Sequence, residues 1–161
     1  MQGVATASLN TDFKQGRLTQ ACDKSILYPE CDWEGECIEG ASIVKKDNKL
    51  YMFYAGAYNN APQQIGVAVS EDGLNWKRLS EEPFLRNGKP GEWNSSESGH
   101  PHLFTDLDGR TYCSIKVIMI MVRLGILHSK KFYGRMVNLL EINNVYGLPF
   151  VSLFNGKRIE G

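Results

Sequence analysis

The sequence predicts an all-β fold: β-propeller blades of four antiparallel strands, forming an incomplete propeller, with an irregular or partly helical C-terminal tail. Three observations lead there. Short apolar or alternating runs are separated by turn-forming pairs such as Asp47-Asn48 and Asp72-Gly73, which supply the backbone conformations of tight hairpins. Four such runs follow one another between residues 41 and 79, a meander of blade size. The pattern then recurs at an offset of 60 residues, where Ala41-Ser42-Ile43-Val44 aligns with Pro101-His102-Leu103-Phe104.

Along the chain, residues 1–38 read as a segment from a preceding blade, with Leu27-Tyr28-Pro29 as a short edge strand. Residues 39–80 form the first clear blade. Its strands are Ala41–Lys45, Leu50–Ala55, Gln64–Ser70 and Asn75–Leu79; the second is too apolar on both faces to lie at an edge. Residues 81–112 are a linker and the first half of the next blade, with a strand at Pro101–Thr105, a turn at 106–110 and a new strand opening at Thr111-Tyr112.

From Cys113 to residue 161 the text is aberrant: turn residues vanish and Ile, Met, Val, Lys and Asn take over. One reading is a true extension, an apolar strand followed by an amphipathic helix. The genetic code offers another. Codons compatible with residues 113 onward, read in the frame joining each third base to the next two, restore FYQGNNDYGKTWY. Met119-Ile120 forces Asp there, and Met121-Val122 and Met136-Val137 each force Gly. This restored text matches the strand and turn that the first blade carries at Phe53-Tyr54-Ala55-Gly56-Ala57-Tyr58-Asn59-Asn60. One base lost from a leucine codon near position 113 accounts for Cys113 and all that follows, so the expectation is a frameshifted tail.

Composition narrows the function classes. The 161 residues suffice for one domain with a core, and 42% hydrophobic against 22% charged residues fits a folded chain. Lys+Arg and Asp+Glu are 18 each, so no basic field points to nucleic acid or to a membrane surface. An aromatic share of 11% suits β structure or a surface that stacks on sugar rings. Cys22, Cys31, Cys37 and Cys113 form no C-x-x-C pair and have no histidine at zinc spacing; one disulfide is open to the first three, with buried thiols the simpler expectation. The apolar run Val117–Leu127, broken by Arg123, is far short of the about 20 residues a membrane helix needs. No signal peptide opens the chain, and localisation is left unassigned. The N-terminus reads as truncated, which leaves the full-length protein open to secretion or a periplasmic home.

The chemistry-bearing candidates lie at the starts of the two inner strands. Glu39, followed by Gly40, is the candidate catalytic acid: a carboxyl at the start of a propeller's innermost strand points to the central pocket, and partial burial lets it hold a proton for a leaving oxygen. Against this stands the plain alternative that Glu34, Glu36 and Glu39 are solvated loop carboxylates. His100 aligns with Gly40 and is a candidate to orient substrate or to touch a metal through water. A hydrogen-bonded structural histidine is the alternative there, and the preferred one for His102, placed by strand alternation on the same face but deeper. Trp33 and Trp93 precede the two inner strands as candidate sugar-stacking residues, whereas Trp76 is expected in blade core.

Together these residues resemble the family 43 glycoside hydrolases and their five-bladed propeller relatives. The resemblance covers about residues 27–112. It rests on Trp33-Glu34 leading into Ile38-Glu39-Gly40-Ala41, where that family has Glu-Gly-Pro, on Ile65-Gly66-Val67-Ala68-Val69-Ser70, and on Ser98-Gly99-His100, where it has Gly-His. It implies that Glu39 is the general acid and that His100 lies near the axial metal or water site. No cofactor is required, with a calcium ion at the propeller axis as the one candidate. The implied partner is a carbohydrate, an arabinose- or xylose-containing glycan, with no nucleic acid and no membrane. Such enzymes pair the acid with an Asp base carried by earlier blades, and Asp12, Asp23 and Asp32 match neither Asp motif. The expectation is therefore a glycosidase fragment, hydrolysing O-glycosyl bonds in carbohydrate metabolism when whole and inactive alone. The alternative is a non-catalytic carbohydrate-binding or structural propeller piece. Asp-bearing blades encoded upstream would favour the first.

Overall fold

The computed structural model describes residues 1–12, 18–107, 109–123 and 126–138. Among them the chain is all-β, with a single 3-10 turn at Asp32–Glu34 and no α-helix. Strands β1 (Ala5–Thr6) and β2 (Thr19–Gln20) pair as a small ribbon; β3 (Glu39–Lys46), β4 (Lys49–Ala55), β5 (Ile65–Ser70) and β6 (Lys77–Arg78) form a four-stranded antiparallel meander in sequence order; β7 (Glu97–Thr105), β8 (Thr111–Arg123) and β9 (Ile126–Asn138) form a third sheet. The predicted edge strand at Leu27 is only a single bridge to Gln2.

The meander follows from its turns and its apolar text. Asp47 and Asn48 take φ of 49° and 60°, the left-handed values that a two-residue hairpin demands and that Asp and Asn tolerate. In the next turn Asp72 accepts from the amides of Leu74 and Asn75, both at 2.8 Å. The Asn75 amide, first among these bonds, holds the Asp72 carboxyl well below its usual range. Strands β4 and β5 are buried on both faces because each face meets its own core. Phe53, Ile65 and Val67 join Leu103, Cys113, Ile115 and Val117 of the third sheet. Met52, Tyr54 and Ala68 join Leu27 and Ile38, with Trp33 and Trp76 packed alongside. Gly66 is needed for space: a Cβ there would lie 2.5 Å from Tyr54 Cζ and 2.6 Å from Trp33 Cη2.

The tail departs from the expected irregular or helical form. Cys113–Arg123 and Ile126–Asn138 lie in β8 and β9, which pair from Tyr112↔Asn138 to Arg123↔Ile126. Alternation is the physical reason. Cys113, Ile115 and Val117 are buried at 4%, 2% and 3% exposure, which requires one shared face; a helix would turn residues two apart to nearly opposite sides. Burial pushes the Cys113 thiol up to about 12, and all four cysteines are free. Residues 139–161 of the expected aberrant tail, and Asp108 of the predicted turn, lie outside the described residues.

One buried carboxylate joins the N-terminal segment to the meander. Glu34 is fully buried. Its Oε1 accepts from Tyr54 Oη at 2.6 Å and Arg78 Nε at 2.8 Å, and its Oε2 from Arg78 Nη2 at 2.8 Å and the amides of Glu30 and Cys31 at 2.7 and 3.1 Å. Arg78 also bonds Glu30 and the Tyr28 carbonyl. Burial alone would push the Glu34 carboxyl up; the bonds from Arg78, Tyr54 and the two amides outweigh it and hold it below its ordinary value.

Arg78→Met, which strands that carboxylate, should cost about 3–5 kcal/mol in urea unfolding. Because the folded-state value of Glu34 is depressed, its contribution is complete above the ordinary 4.5 and is lost as pH falls through the lower folded value. The unfolding midpoint of the unmodified chain should therefore fall on the acid side, and Glu34→Gln should flatten that fall while lowering the plateau. An acid limb unchanged by Glu34→Gln would contradict the assignment.

Candidate active site

The 60-residue repeat is written into the backbone at the site. In the first sheet the β3–β4 register shifts between Glu39 and Ser42; in the third the β7–β8 register shifts between Gly99 and His102. These are equivalent positions in the repeat. Within each bulge one residue is left-handed, Gly40 at φ 59° and His100 at φ 46°. The two inner strands meet through Ser42, whose Oγ accepts from the Leu103 amide at 2.9 Å. A Cβ at Gly40 would find only ordinary contact, 3.6 Å from His100 Cα and 3.8 Å from its Nδ1, so Gly40 is required by its backbone angle rather than by space.

This geometry brings Glu39 and His100 together. Glu39, 24% exposed in its side chain, has His100 Nε2 3.5 Å from its Oε1. The same oxygen accepts from Gln63 Nε2 at 2.7 Å. Gln63 is 3% exposed, stands in the β4–β5 connection, and bonds through its carbonyl to the Ser98 amide at 2.9 Å. Ser98 is itself buried and holds Asn94 Nδ2 at 2.9 Å. The arrangement is a half-exposed carboxylate oriented by a buried amide, with an imidazole at its open side. Chemically it can give or take a proton at Glu39 Oε and offer hydrogen bonds to a hydroxyl-rich ligand. Gln63 was not singled out by sequence reasoning. Its neighbour Gln64 opened a predicted strand, and nothing in the local text marks a glutamine as buried.

Other candidates fall elsewhere. Glu34, grouped at first with the solvated loop carboxylates, is the buried structural anion described above. Trp33 is not an open platform. Its ring stacks on Tyr54 at 5.9 Å and 22°, lies against Gly56 and Gly66, and its Nε1 donates to the Glu81 carbonyl at 2.8 Å. It is a wedge that closes the second core, because a large ring beside two glycines gains more from packing than from exposure. Trp93 is likewise packed against the first core. His102 is exposed on β7 opposite Ser114, not deeper than His100 as expected. Among the described residues no three His, Cys, Asp or Glu side chains converge to hold a metal.

No family model matches the chain. It is similar to a β-1,2-mannobiose phosphorylase of Thermoanaerobacter sp. (strain X514), 30% identical over 127 residues that span 65% of this chain and 42% of that protein. Among solved structures it is similar to an α-L-arabinofuranosidase from Lactobacillus brevis, with a TM-score of 0.55, 14% identity, and coverage of 84% of this chain and 43% of that one. It is also similar to a thermostable family-43 glycoside hydrolase, with a TM-score of 0.48, 24% identity, and coverage of 74% and 43%. The chain thus spans about two fifths of the length of these proteins, and its likeness to the arabinofuranosidase is one of fold.

A non-glycine residue held left-handed costs about 1–3 kcal/mol. His100→Gly should accordingly leave stability unchanged or raise it by up to about 2.5 kcal/mol after glycine's own entropy cost. His100→Ala, which keeps the strain, should give no gain. Urea midpoints measure both, and a glycine variant less stable than the alanine variant would show that His100 is held for the fold rather than for a ligand.

Proposed function

We propose that the whole protein is a carbohydrate-active enzyme that breaks an O-glycosidic bond within a propeller, and that this chain contributes its proton donor, Glu39. The observation that supports this most is the fixing of one partly exposed carboxylate at the start of an inner strand, between a buried amide and the imidazole of a residue held left-handed. Glu39 gives its proton to the departing oxygen as the glycosidic bond breaks, and His100 hydrogen-bonds a ring hydroxyl. An arabinose- or xylose-containing glycan fits the fold likeness. For hydrolysis with inversion, a second carboxylate about 6.5–9.5 Å from the acid must activate water; on this reading other blades carry it, and the chain alone is inactive.

The phosphorylase relative favours a second reading, phosphorolysis. A phosphate oxygen forms the new bond to the anomeric carbon, the electron pair of the broken C–O bond goes to the leaving oxygen, and that oxygen takes the proton of Glu39. Phosphate arrives as an anion, so no second carboxylate is needed to activate it. In either case we read the sequence from about residue 113 as a frameshifted translation. The restored residues Leu, Phe, Tyr, Gln and Gly would occupy the same β-strand.

Amide spectra of the full chain titrated with xylobiose, an arabinose disaccharide and β-1,2-mannobiose should shift near residues 39–40, 63 and 99–100 with at least one of them. Silence with all three would sink the site. Aryl arabinofuranosides and xylosides, and mannobiose with and without inorganic phosphate, should show no turnover. Turnover abolished by Glu39→Gln would overturn the inactivity of the isolated chain, and its dependence on phosphate would choose between the two readings. Sequencing the encoding DNA should reveal a one-base change near codon 113 that restores the blade; if no such change does so, the frameshift is refuted.

A further inference from the structure

The glycine of Ser98-Gly99-His100 has no left-handed angle to explain it, since the strained residue of that bulge is His100. Its reason is space. A Cβ built on Gly99 would lie 2.1 Å from Gln63 Oε1, 3.0 Å from its Cδ and 3.3 Å from its Cβ. The Gln63 amide therefore lies directly over the Gly99 backbone. Its Oε1 is buried without a hydrogen-bond partner, while its Nε2 bonds Glu39 at 2.7 Å. Its backbone is fixed independently by the Ser98 amide.

From this juxtaposition we infer that Gln63 is a positioning residue for Glu39 and that Gly99 is the socket that admits it. The inference rests on the reading of Glu39 as proton donor. A glutamine suits that task because its terminal amide has both a donor and an acceptor end. With Nε2 toward Glu39 it serves the carboxylate; turned by half a revolution, Oε1 accepts from the protonated acid. One side chain can thus hold Glu39 in place before and after the proton leaves. A glutamate at 63 would lack the donor, and an alanine would leave Glu39 with only the imidazole beside it. Gly99 stands in the third sheet where Glu39 stands in the first, so the absent side chain of one repeat makes room for the partner of the other.

The test uses the side-chain amide signals of Gln63 in the full-length chain, which need no turnover. In the unmodified chain they should be protected from solvent exchange at least about tenfold relative to exposed glutamines. Glu39→Ala should remove most of that protection and shift the signals while leaving the fold intact. Gly99→Ala should do the same by driving the amide out of its socket. Should Gly99→Ala unfold the chain instead, Gln63→Ala combined with it should restore folding, because the obstructing amide is then gone. Saccharide affinity, where the preceding experiment finds binding, should fall equally in Gln63→Ala, in Gly99→Ala and in the double variant. Gln63 signals unchanged in Gly99→Ala, or losses of affinity that add in the double variant, would overturn the inference. Intact Gln63 signals without any saccharide binding would instead overturn the proposed function and leave the socket standing.

Discussion

The Glu34 carboxylate is the constraint on which the rest of the chain depends. A buried anion is tolerated only when its lone pairs are occupied, and here five donors from three parts of the chain converge on two oxygens. The consequence is mechanical. The outer strand β6, the central strand β4 and the segment Glu30–Glu34 are tied to one point. The 3-10 turn that follows from this tie sets the Trp33 ring between Gly56 and Gly66. Four residues beyond Glu34, Ile38 is buried in the second core at 1% exposure, and the next side chain is Glu39. The candidate acid is thus placed by a second, unreactive carboxylate a few residues upstream.

That division of labour explains which parts of the molecule are legible in the sequence. The meander was legible because its signals are local: Asp and Asn at left-handed turn positions, and an apolar run too continuous for an edge. The 60-residue recurrence was legible for the same reason, and it extends down to individual backbone angles at Gly40 and His100. Position along an inner strand brought Glu39 and His100 forward as candidates. What was not legible depends on contacts between distant segments. Nothing near Glu34 says that Arg78, 44 residues away, will neutralise it. Nothing near Trp33 says that two glycines will open a slot for its ring, so an indole in a loop before a strand read as a platform. Gln63 shows the limit most plainly, since a buried glutamine is ordinary text until its two neighbours are known.

The tail illustrates a different limit. Its composition breaks with what precedes it, and a composition break invites a change of secondary structure. Yet β8 needs only alternation and one apolar face. Cys113, Ile115 and Val117 provide both, and the first core accepts them beside Phe53 and Leu103. Binary pattern is a weak filter here: it admits this strand and would admit the restored aromatic one. The strand therefore does not choose between the two frames.

The repeat also bears on why the site has the composition it has. Two equivalent bulges present two equivalent positions, and the chain fills them unequally: Glu and Gly in the first sheet, Gly and His in the third. In the first bulge the glycine takes the left-handed angle, so the backbone is relaxed there and the residue before it carries the carboxylate. In the third the histidine takes that angle at a cost in backbone energy, and the glycine beside it makes space. Two copies of the first pair would give two acids and no room for the amide, and two copies of the second would give two imidazoles and no acid. Exchanging the roles of adjacent residues gives one acid, one imidazole and a cavity for the amide that orients the acid. The asymmetry between repeats, more than either motif alone, is what turns a structural recurrence into a site with distinct chemical parts.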